Sequence, residues 1–176
     1  AFVFVALFAL PAYADDPITV NASKFTNNFR SDLTFQLDAQ SNAGKIAQVA
    51  VLIQLDGVAA SGRQQPDFTS DARISAKYIW NRMQNYLPPG VTGKFWWEIQ
   101  DDKGNKKLTD KQAFRVDDTQ HTWQKLSNDK IALYWYTGGD SFGKALFDRA
   151  NQAIGFLQQD TGVVIDHLGV HVALAP

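Results

Sequence analysis

The spacing of apolar residues changes along this chain, from every second residue before residue 118 to every third or fourth residue after residue 140. An alternation such as Leu33, Phe35 and Leu37 is typical of a strand with one buried face. The later spacing is typical of an amphipathic helix, and its apolar stripe comprises Phe142, Leu146, Ala150, Ala153, Ile154 and Leu157. The pattern predicts a mainly β protein, with an all-β unit followed by a partial α/β unit.

The first unit is predicted to be an immunoglobulin- or fibronectin-like β-sandwich over residues 15–118. Six or seven strand patterns in about 100 residues, separated by turn-rich connectors, suit two packed sheets. Asp101–Asn105 has the composition of a hairpin loop, and Gly57–Pro66 is expected to be a flexible polar loop. The strands are expected at Ile18 and Val20, Leu33–Leu37, Ile46–Leu55, Ala72–Trp80, Phe95–Ile99, and Phe114 and Val116.

The second unit, residues 119–176, is predicted to begin an α/β domain that the chain does not complete. A strand, a helix and a second strand have the size of one βαβ unit. A single helix cannot cover both faces of two strands, so such a unit requires the rest of a domain. The expected parts are a strand at Lys130–Tyr136, a break at Gly138 and Gly139, a helix capped by Asp140 or Ser141 and ended by Gly162, and a strand within Val163–Leu174.

The N-terminus resembles the end of a secretory signal. Residues 1–10 are apolar, and they are followed by Ala12-Tyr13-Ala14, a small-x-small cleavage pattern. We predict that residues 1–14 are a signal-peptide remnant and that the mature protein begins near Asp15, exported to the outside or the surface of a bacterial cell. A buried N-terminal strand or helix is the alternative. The chain has no cysteine, so disulfides cannot support the exported domain.

The charge pattern argues against polyanionic partners. The formal net charge is -1, and the sequence shows no basic run of the kind that marks a nucleic-acid-binding face. A membrane span needs about 20 apolar residues, and the apolar run at residues 1–10 is shorter. A membrane contact is therefore expected only through an anchor that this sequence does not show.

No residue of this chain is predicted to be catalytic, to bind a metal or to bind a cofactor. His167 and His171 have the spacing of a helical zinc motif, but no glutamate lies between them and their context is strand-like. Two pairs of carboxylates are better explained by turn and linker chemistry than by calcium binding; they are Asp101 with Asp102, and Asp117 with Asp118.

Three tryptophans are candidate surface or interdomain contacts, namely Trp96, Trp123 and Trp135. Because Trp96 and Trp97 are adjacent on one strand, they must face opposite sides of the sheet. Alternation with Phe95 places Trp97 in the core. Trp96 could then stack on a sugar or anchor a protein, although an interdomain contact with Trp123 or Trp135 is the favoured interpretation.

A series of short segments resembles the N-terminal region of bacterial peptidase MA-like, gluzincin-type metallohydrolases. These segments are Leu87–Gly90, Phe95–Ile99, Asp101–Asn105, Phe114–Asp118, Trp123, Leu133–Tyr136, Phe142 with Gly143, and Asp160–Gly162. The resemblance implies an immunoglobulin-like domain followed by the start of a peptidase domain. Its zinc would be held by a His-Glu-x-x-His helix and a further glutamate, which no residue of this chain matches.

Together these patterns predict the non-catalytic N-terminal portion of an exported zinc-dependent metallopeptidase. The partners implied are its own downstream peptidase domain and a peptide or protein substrate, and zinc is expected in the full-length protein. The alternative from another class is a non-catalytic extracellular binding module that recognises sugar or protein through the sandwich.

Overall fold

The computed structural model describes residues 16–164 and 168–172. In this part, the first unit contains eight strands: β1 (Ile18–Asn28), β2 (Asp32–Ser41), β3 (Ile46–Leu55), β4 (Gly62–Gln64), β5 (Arg73–Asn81), β6 (Thr92–Asp101), β7 (Lys106–Leu108) and β8 (Gln112–Arg115). The second unit contains β9 (Gln124–Ser127), β10 (Ile131–Trp135), the helix α1 (Gly139–Thr161) and β11 (Leu168–Val172).

The first unit is a sandwich of two antiparallel sheets. One sheet has the order β1-β2-β5, and the other has the order β4-β3-β6-β7. β8 also pairs with β6, at residues 92–95, whereas β7 pairs with residues 98–100. β7 and β8 are therefore two halves of one edge, and the three-on-four arrangement confirms the predicted immunoglobulin/fibronectin-like fold.

Alternating residues from the facing sheets form the core of the sandwich. Phe35 on β2 and Phe95 on β6 are buried, with ring centroids 5.1 Å apart. Trp97 is fully buried, as its alternation with Phe95 predicts, and its indole N–H donates to Ser23 Oγ at 3.1 Å. Burying these large rings between the sheets removes much apolar surface from water, which is the main stabilising contribution to such a domain.

Two strand predictions for the sandwich were incomplete. The short opening strand expected at Ile18 and Val20 is the eleven-residue β1, and the expected flexible loop Gly57–Pro66 contains β4. Both strands lie at sheet edges, and in them only Ile18 of β1 is fully buried. Their sequences therefore lack the apolar alternation that marks a central strand.

The second unit is a three-stranded sheet with one helix against it. β10 and β11 are parallel and are connected through α1, whereas β9, which the sequence did not predict, is antiparallel to β10. Ile131, Leu133 and Trp135 form a buried cluster with Ile154 of α1. The strand-helix-strand unit predicted from the periodicity is therefore present.

Glycines, not side-chain caps, set both ends of α1. The helix begins after Gly138, which has φ 89°, and no side chain caps it, so the expected capping by Asp140 or Ser141 was wrong. Gly162 ends the helix with φ 68°, as predicted, and donates its N–H to the carbonyl of Gln158 at 3.0 Å. Positive φ is available to glycine at little steric cost, which is why it serves at such positions.

The helix extends beyond the sheet that it covers. A helix of 23 residues is about 34 Å long, while a five-residue strand spans about 17 Å. Leu157, a member of the predicted stripe, is consequently 53% exposed. The second strand lies within the expected Val163–Leu174, since β11 is Leu168–Val172. Val163 and Val164 are not part of a strand, and residues 165–167 and 173–174 lie outside the described residues.

Between residues 16 and 164, no helix is both long and apolar enough to cross a membrane.

Candidate functional site

The segment between β8 and β9 joins the two units and contains a carboxylate–histidine pair. Asp118 Oδ2 lies 2.7 Å from His121 Nδ1, and Asp118 Oδ1 accepts the backbone N–H of Gln120 at 2.8 Å. The carboxylate is almost fully buried, whereas the imidazole is 29% exposed. Asp118 was predicted to be an acidic residue of the linker and was not paired with His121, although their i, i+3 spacing was a usable signal.

Aromatic contacts attach this pair to the second unit. The His121 ring stacks on Tyr136, just after β10, with centroids 4.0 Å apart and an interplanar angle of 24°. Trp123 meets the same tyrosine edge-on at 4.9 Å. Trp123 is thus half-buried beside the end of β10, between the linker and the second unit.

Two arginines approach the linker from the sandwich. Arg115 Nε donates to Asp117 Oδ1 at 2.6 Å, and this hydrogen bond raises the pKa of the guanidinium. The Arg115 guanidinium carbon also lies 5.9 Å from the ring centroid of Tyr134 on β10. Arg115 therefore contacts both the linker and the second unit.

Arg82 lies in the loop after β5 and is only 3% exposed. Its guanidinium lies 4.6 Å from the centroid of the Phe29 ring and donates through Nη2 to the carbonyl of Leu87. Burial lowers the pKa of Arg82, an effect that the nearby acidic groups of Tyr86 and Asp118 oppose. The linker carboxylate therefore lies in the field of a buried cation.

The carboxylate–histidine contact at this junction orients the imidazole. A histidine whose Nδ1 is held by a carboxylate has a fixed ring orientation, an arrangement also used for metal ligands and general bases. The described ranges contain no group of three or more histidine, cysteine, aspartate or glutamate residues that could hold a metal ion. The contacts of His121 with the Asp118 carboxylate and with the Tyr136 ring hold the linker against the end of β10.

Asp101 is a structural carboxylate in the hairpin between β6 and β7. It is 2% exposed and accepts hydrogen bonds from the backbone N–H groups of Lys103 and Asn105 and from the Ser41 hydroxyl. Burial acts to raise the pKa of Asp101, but the hydrogen bonds from Asn105 and Ser41 outweigh it, so the pKa is lowered. This satisfied carboxylate matches the predicted turn role.

The other two candidate tryptophans lie within their own units. Trp96 is 7% exposed on the outer face of its sheet, with Lys111 Nζ 4.2 Å from its ring centroid. Trp135 is 3% exposed, and its indole N–H donates to the carbonyl of Gly139 at 3.1 Å. The structure does not bring Trp96, Trp123 and Trp135 together into one site.

Of the two histidines with zinc-like spacing, one lies among the described residues. His171 belongs to β11, in register with Tyr134 of β10, and His167 lies outside the described residues. A helical zinc motif requires both imidazoles on one helix face, and the strand at His171 excludes that arrangement.

Comparison with protein-family models, with curated proteins and with solved structures finds no match to this chain.

Proposed function

We propose that this chain is the non-catalytic N-terminal portion of an exported zinc-dependent metallopeptidase, whose zinc-binding helix follows Pro176 in the full-length protein. The sandwich and the strand-helix-strand unit then form the support on which the peptidase domain is built. The partner is this downstream domain, and the substrate is a peptide or protein.

The observation that carries the proposal is the uncovered apolar end of the second unit. Phe156 is 66% exposed, Leu157 is 53% exposed and Val164 is 76% exposed. A parallel βαβ unit normally belongs to a larger sheet with helices on its faces. Further elements of an α/β domain would bury these side chains, which agrees with the resemblance of the segments after Trp123 to the opening of a peptidase domain.

The role of this chain in that enzyme is mechanical. The described residues do not fit a zinc ligand set, so no step of peptide hydrolysis is assigned to them. Arg115 against Tyr134, and Asp118 with His121 against Tyr136, tie the sandwich to the first strand of the second unit. These contacts would hold the sandwich at one orientation beside the catalytic domain.

Zinc content and peptide cleavage of the full-length protein test this function. We expect about one zinc per molecule by elemental analysis, cleavage of a quenched fluorescent peptide mixture, loss of cleavage with 1,10-phenanthroline and recovery on adding zinc. The 176-residue chain alone is the matched control and should cleave nothing. A full-length protein that holds no zinc, or that cleaves no peptide or protein when loaded with zinc, contradicts the proposal.

Export is tested separately by sequencing the N-terminus of the protein recovered outside the cytoplasm. The cleavage pattern Ala12-Tyr13-Ala14 predicts a mature N-terminus at Asp15. Replacing Ala14 with a bulky residue such as Phe should leave the precursor uncleaved. A cytoplasmic protein that retains residues 1–14 would contradict export without bearing on the zinc test.

A further inference from the structure

The outer face of the β4-β3-β6-β7 sheet carries an excess of positive charge. Side chains that point away from the core alternate with the buried ones, so register identifies them. On this face the described cations are Arg63, Lys94, Lys106, Lys111 and Arg115, and the carboxylates beside them are Glu98, paired with Arg63, and Asp117, paired with Arg115. Part of this set, with neighbouring amides, forms a surface that we call the basic face, defined by Gln48, Arg63, Glu98, Gln100 and Lys106.

The opposite sheet does not share this imbalance. Its outer face has Lys24, Arg73 and Lys77 together with Asp32 and Asp38. The Asp38 carboxylate accepts the Ser75 hydroxyl, and Arg73 donates to the Gln40 amide at 2.7 Å. The charge excess is therefore a property of one face of the sandwich. The expectation against polyanionic partners rested on the net charge of -1 and on the absence of basic runs along the sequence, and neither of these detects an excess confined to one face.

A groove of about 490 Å³ crosses the basic face, and its lining includes Gln48, Arg63, Glu98, Gln100, Lys106 and Leu108. Arg63 Nε donates to Glu98 Oε2 at 3.0 Å, and Arg63 Nη2 forms an ion pair with the same oxygen at 3.0 Å. The two side chains are 51% and 42% exposed. Arg63 thus lies in a fixed position in the groove, with half of its side chain open to solvent.

The remaining polar groups of the groove have hydrogen-bonding capacity to spare. In the described part of the chain, the side-chain amides of Gln48 and Gln100 take part in no hydrogen bond, and Lys106 takes part in no ion pair. Each amide offers both donors and an acceptor. A ligand with many hydroxyls and at least one anionic group would match amides and cations placed side by side.

Other anionic partners fit this face less well. Single-stranded nucleic acids bind through exposed aromatic rings on which bases stack, whereas Trp96 is 7% exposed and lies under Lys111. Extended acidic peptides pair with a free strand edge, but this groove runs over the face of β3 and β6, which pair with each other along their length.

We propose that the basic face binds an acidic oligosaccharide, with Arg63 and Lys106 contacting its carboxylate or sulfate groups and the amides of Gln48 and Gln100 contacting its hydroxyls. This site does not depend on the peptidase proposal, because it lies entirely within the sandwich. It would hold the protein against an acidic glycan at the cell surface.

Calorimetric titration of the full chain tests the site, using hexagalacturonate as the carboxylate probe, a heparin hexasaccharide as the sulfate probe and maltohexaose as the neutral probe. We expect one of the acidic probes to bind and maltohexaose not to bind. The double variant Arg63→Gln/Lys106→Gln should weaken binding about tenfold or more, because two charge-assisted contacts are lost. The variant Gln48→Ala/Gln100→Ala should weaken it several-fold at unchanged charge.

The matched control is Lys24→Gln/Lys77→Gln, which removes two charges from the opposite sheet and should leave the affinity unchanged. Thermal unfolding of each variant verifies that the fold is intact. Absence of binding to both acidic probes at millimolar concentration overturns the proposal, and so does equal weakening by the control. Tight binding of poly-glutamate or an oligonucleotide that is insensitive to Gln48→Ala/Gln100→Ala also overturns it, since the face would then attract any polyanion.

Discussion

Replacing Gly143 by alanine separates local helix propensity from tertiary packing in this fold. Gly143 lies in the first half of α1 and faces Trp135 on β10. A Cβ at this position would lie 2.1 Å from Cζ2 and 2.2 Å from Cε2 of Trp135, whereas carbon atoms in contact are about 3.5–4.0 Å apart. Trp135 is 3% exposed and its indole is hydrogen-bonded to Gly139, so the ring has little room to move away.

The size and sign of the effect follow from two opposing contributions. Replacing glycine by alanine inside a helix stabilises the helix by about 1 kcal/mol, because alanine has the higher helix propensity. Forcing an extra carbon into a filled contact costs about 1–3 kcal/mol, and the overlap with the Trp135 ring is severe. The two contributions give a net loss of about 0–2 kcal/mol. Because contacts of 2.1 and 2.2 Å are far below van der Waals distance, we expect Gly143→Ala to destabilise the second unit by about 1–2 kcal/mol, in the upper half of that range.

Gly155 provides the matched control on the same helix. A Cβ there meets no heavy atom within 4 Å, so Gly155→Ala should stabilise the unit by about 0.5–1 kcal/mol through propensity alone. Urea unfolding of the full chain followed at 222 nm, combined with hydrogen exchange of the α1 amides, measures both changes. If Gly143→Ala proves as stable as the wild type or more stable, the close packing of α1 on Trp135 is refuted.

Three further predictions concern the sandwich and the linker. Phe35→Ala should lower the free energy of unfolding by about 3–5 kcal/mol in urea titrations, because this fully buried ring packs among other aromatics. The control Ile79→Ala, at a side chain 48% exposed, should lower it by less than about 1 kcal/mol. Equal losses would contradict the assignment of Phe35 to the core. A double-mutant cycle of Asp118→Ala and His121→Ala should give a coupling of about 0.5–1 kcal/mol, and a coupling of zero would mean that their contact contributes nothing. Because the pKa of Asp101 is lowered in the folded state, its stabilising contribution is present above the unfolded-state pKa and is lost as the pH falls through the folded-state pKa. The free energy of unfolding measured below about pH 5 should therefore decline less steeply in Asp101→Asn than in the wild type. Parallel pH profiles of the two proteins would exclude the effect.

Central strands and the helix were predictable because their signals are local. The run from Ile46 to Leu55 coincides with β3, and the alternation around Phe35 correctly identified its buried face. The helix was predicted from apolar spacing, and Gly162 was identified as its end. In each case the residues that carry the signal are also the residues that are buried, so the pattern and the structure depend on the same side chains.

The edge strands and the site contacts were not predictable in the same way. β4 and β9 are three and four residues long and largely exposed, and their conformation depends on backbone pairing with strands that are distant in sequence. The Arg63–Glu98 pair joins residues 35 positions apart. Such contacts exist only once the sheet register is established, and no periodicity within either segment encodes them.

By itself, the sequence determined that this protein is mainly β, with one helix near its C-terminal end, because the period of apolar residues must match the geometry of the element that buries them. Only the tertiary structure decided which polar residues meet. The pairing of β3, β4, β6 and β7 places Gln48, Arg63, Glu98 and Lys106 in one groove, and the path of the linker brings His121 onto Tyr136. Burial constrains apolar positions one by one, whereas a surface charge pattern arises from the folding of separate strands onto one face.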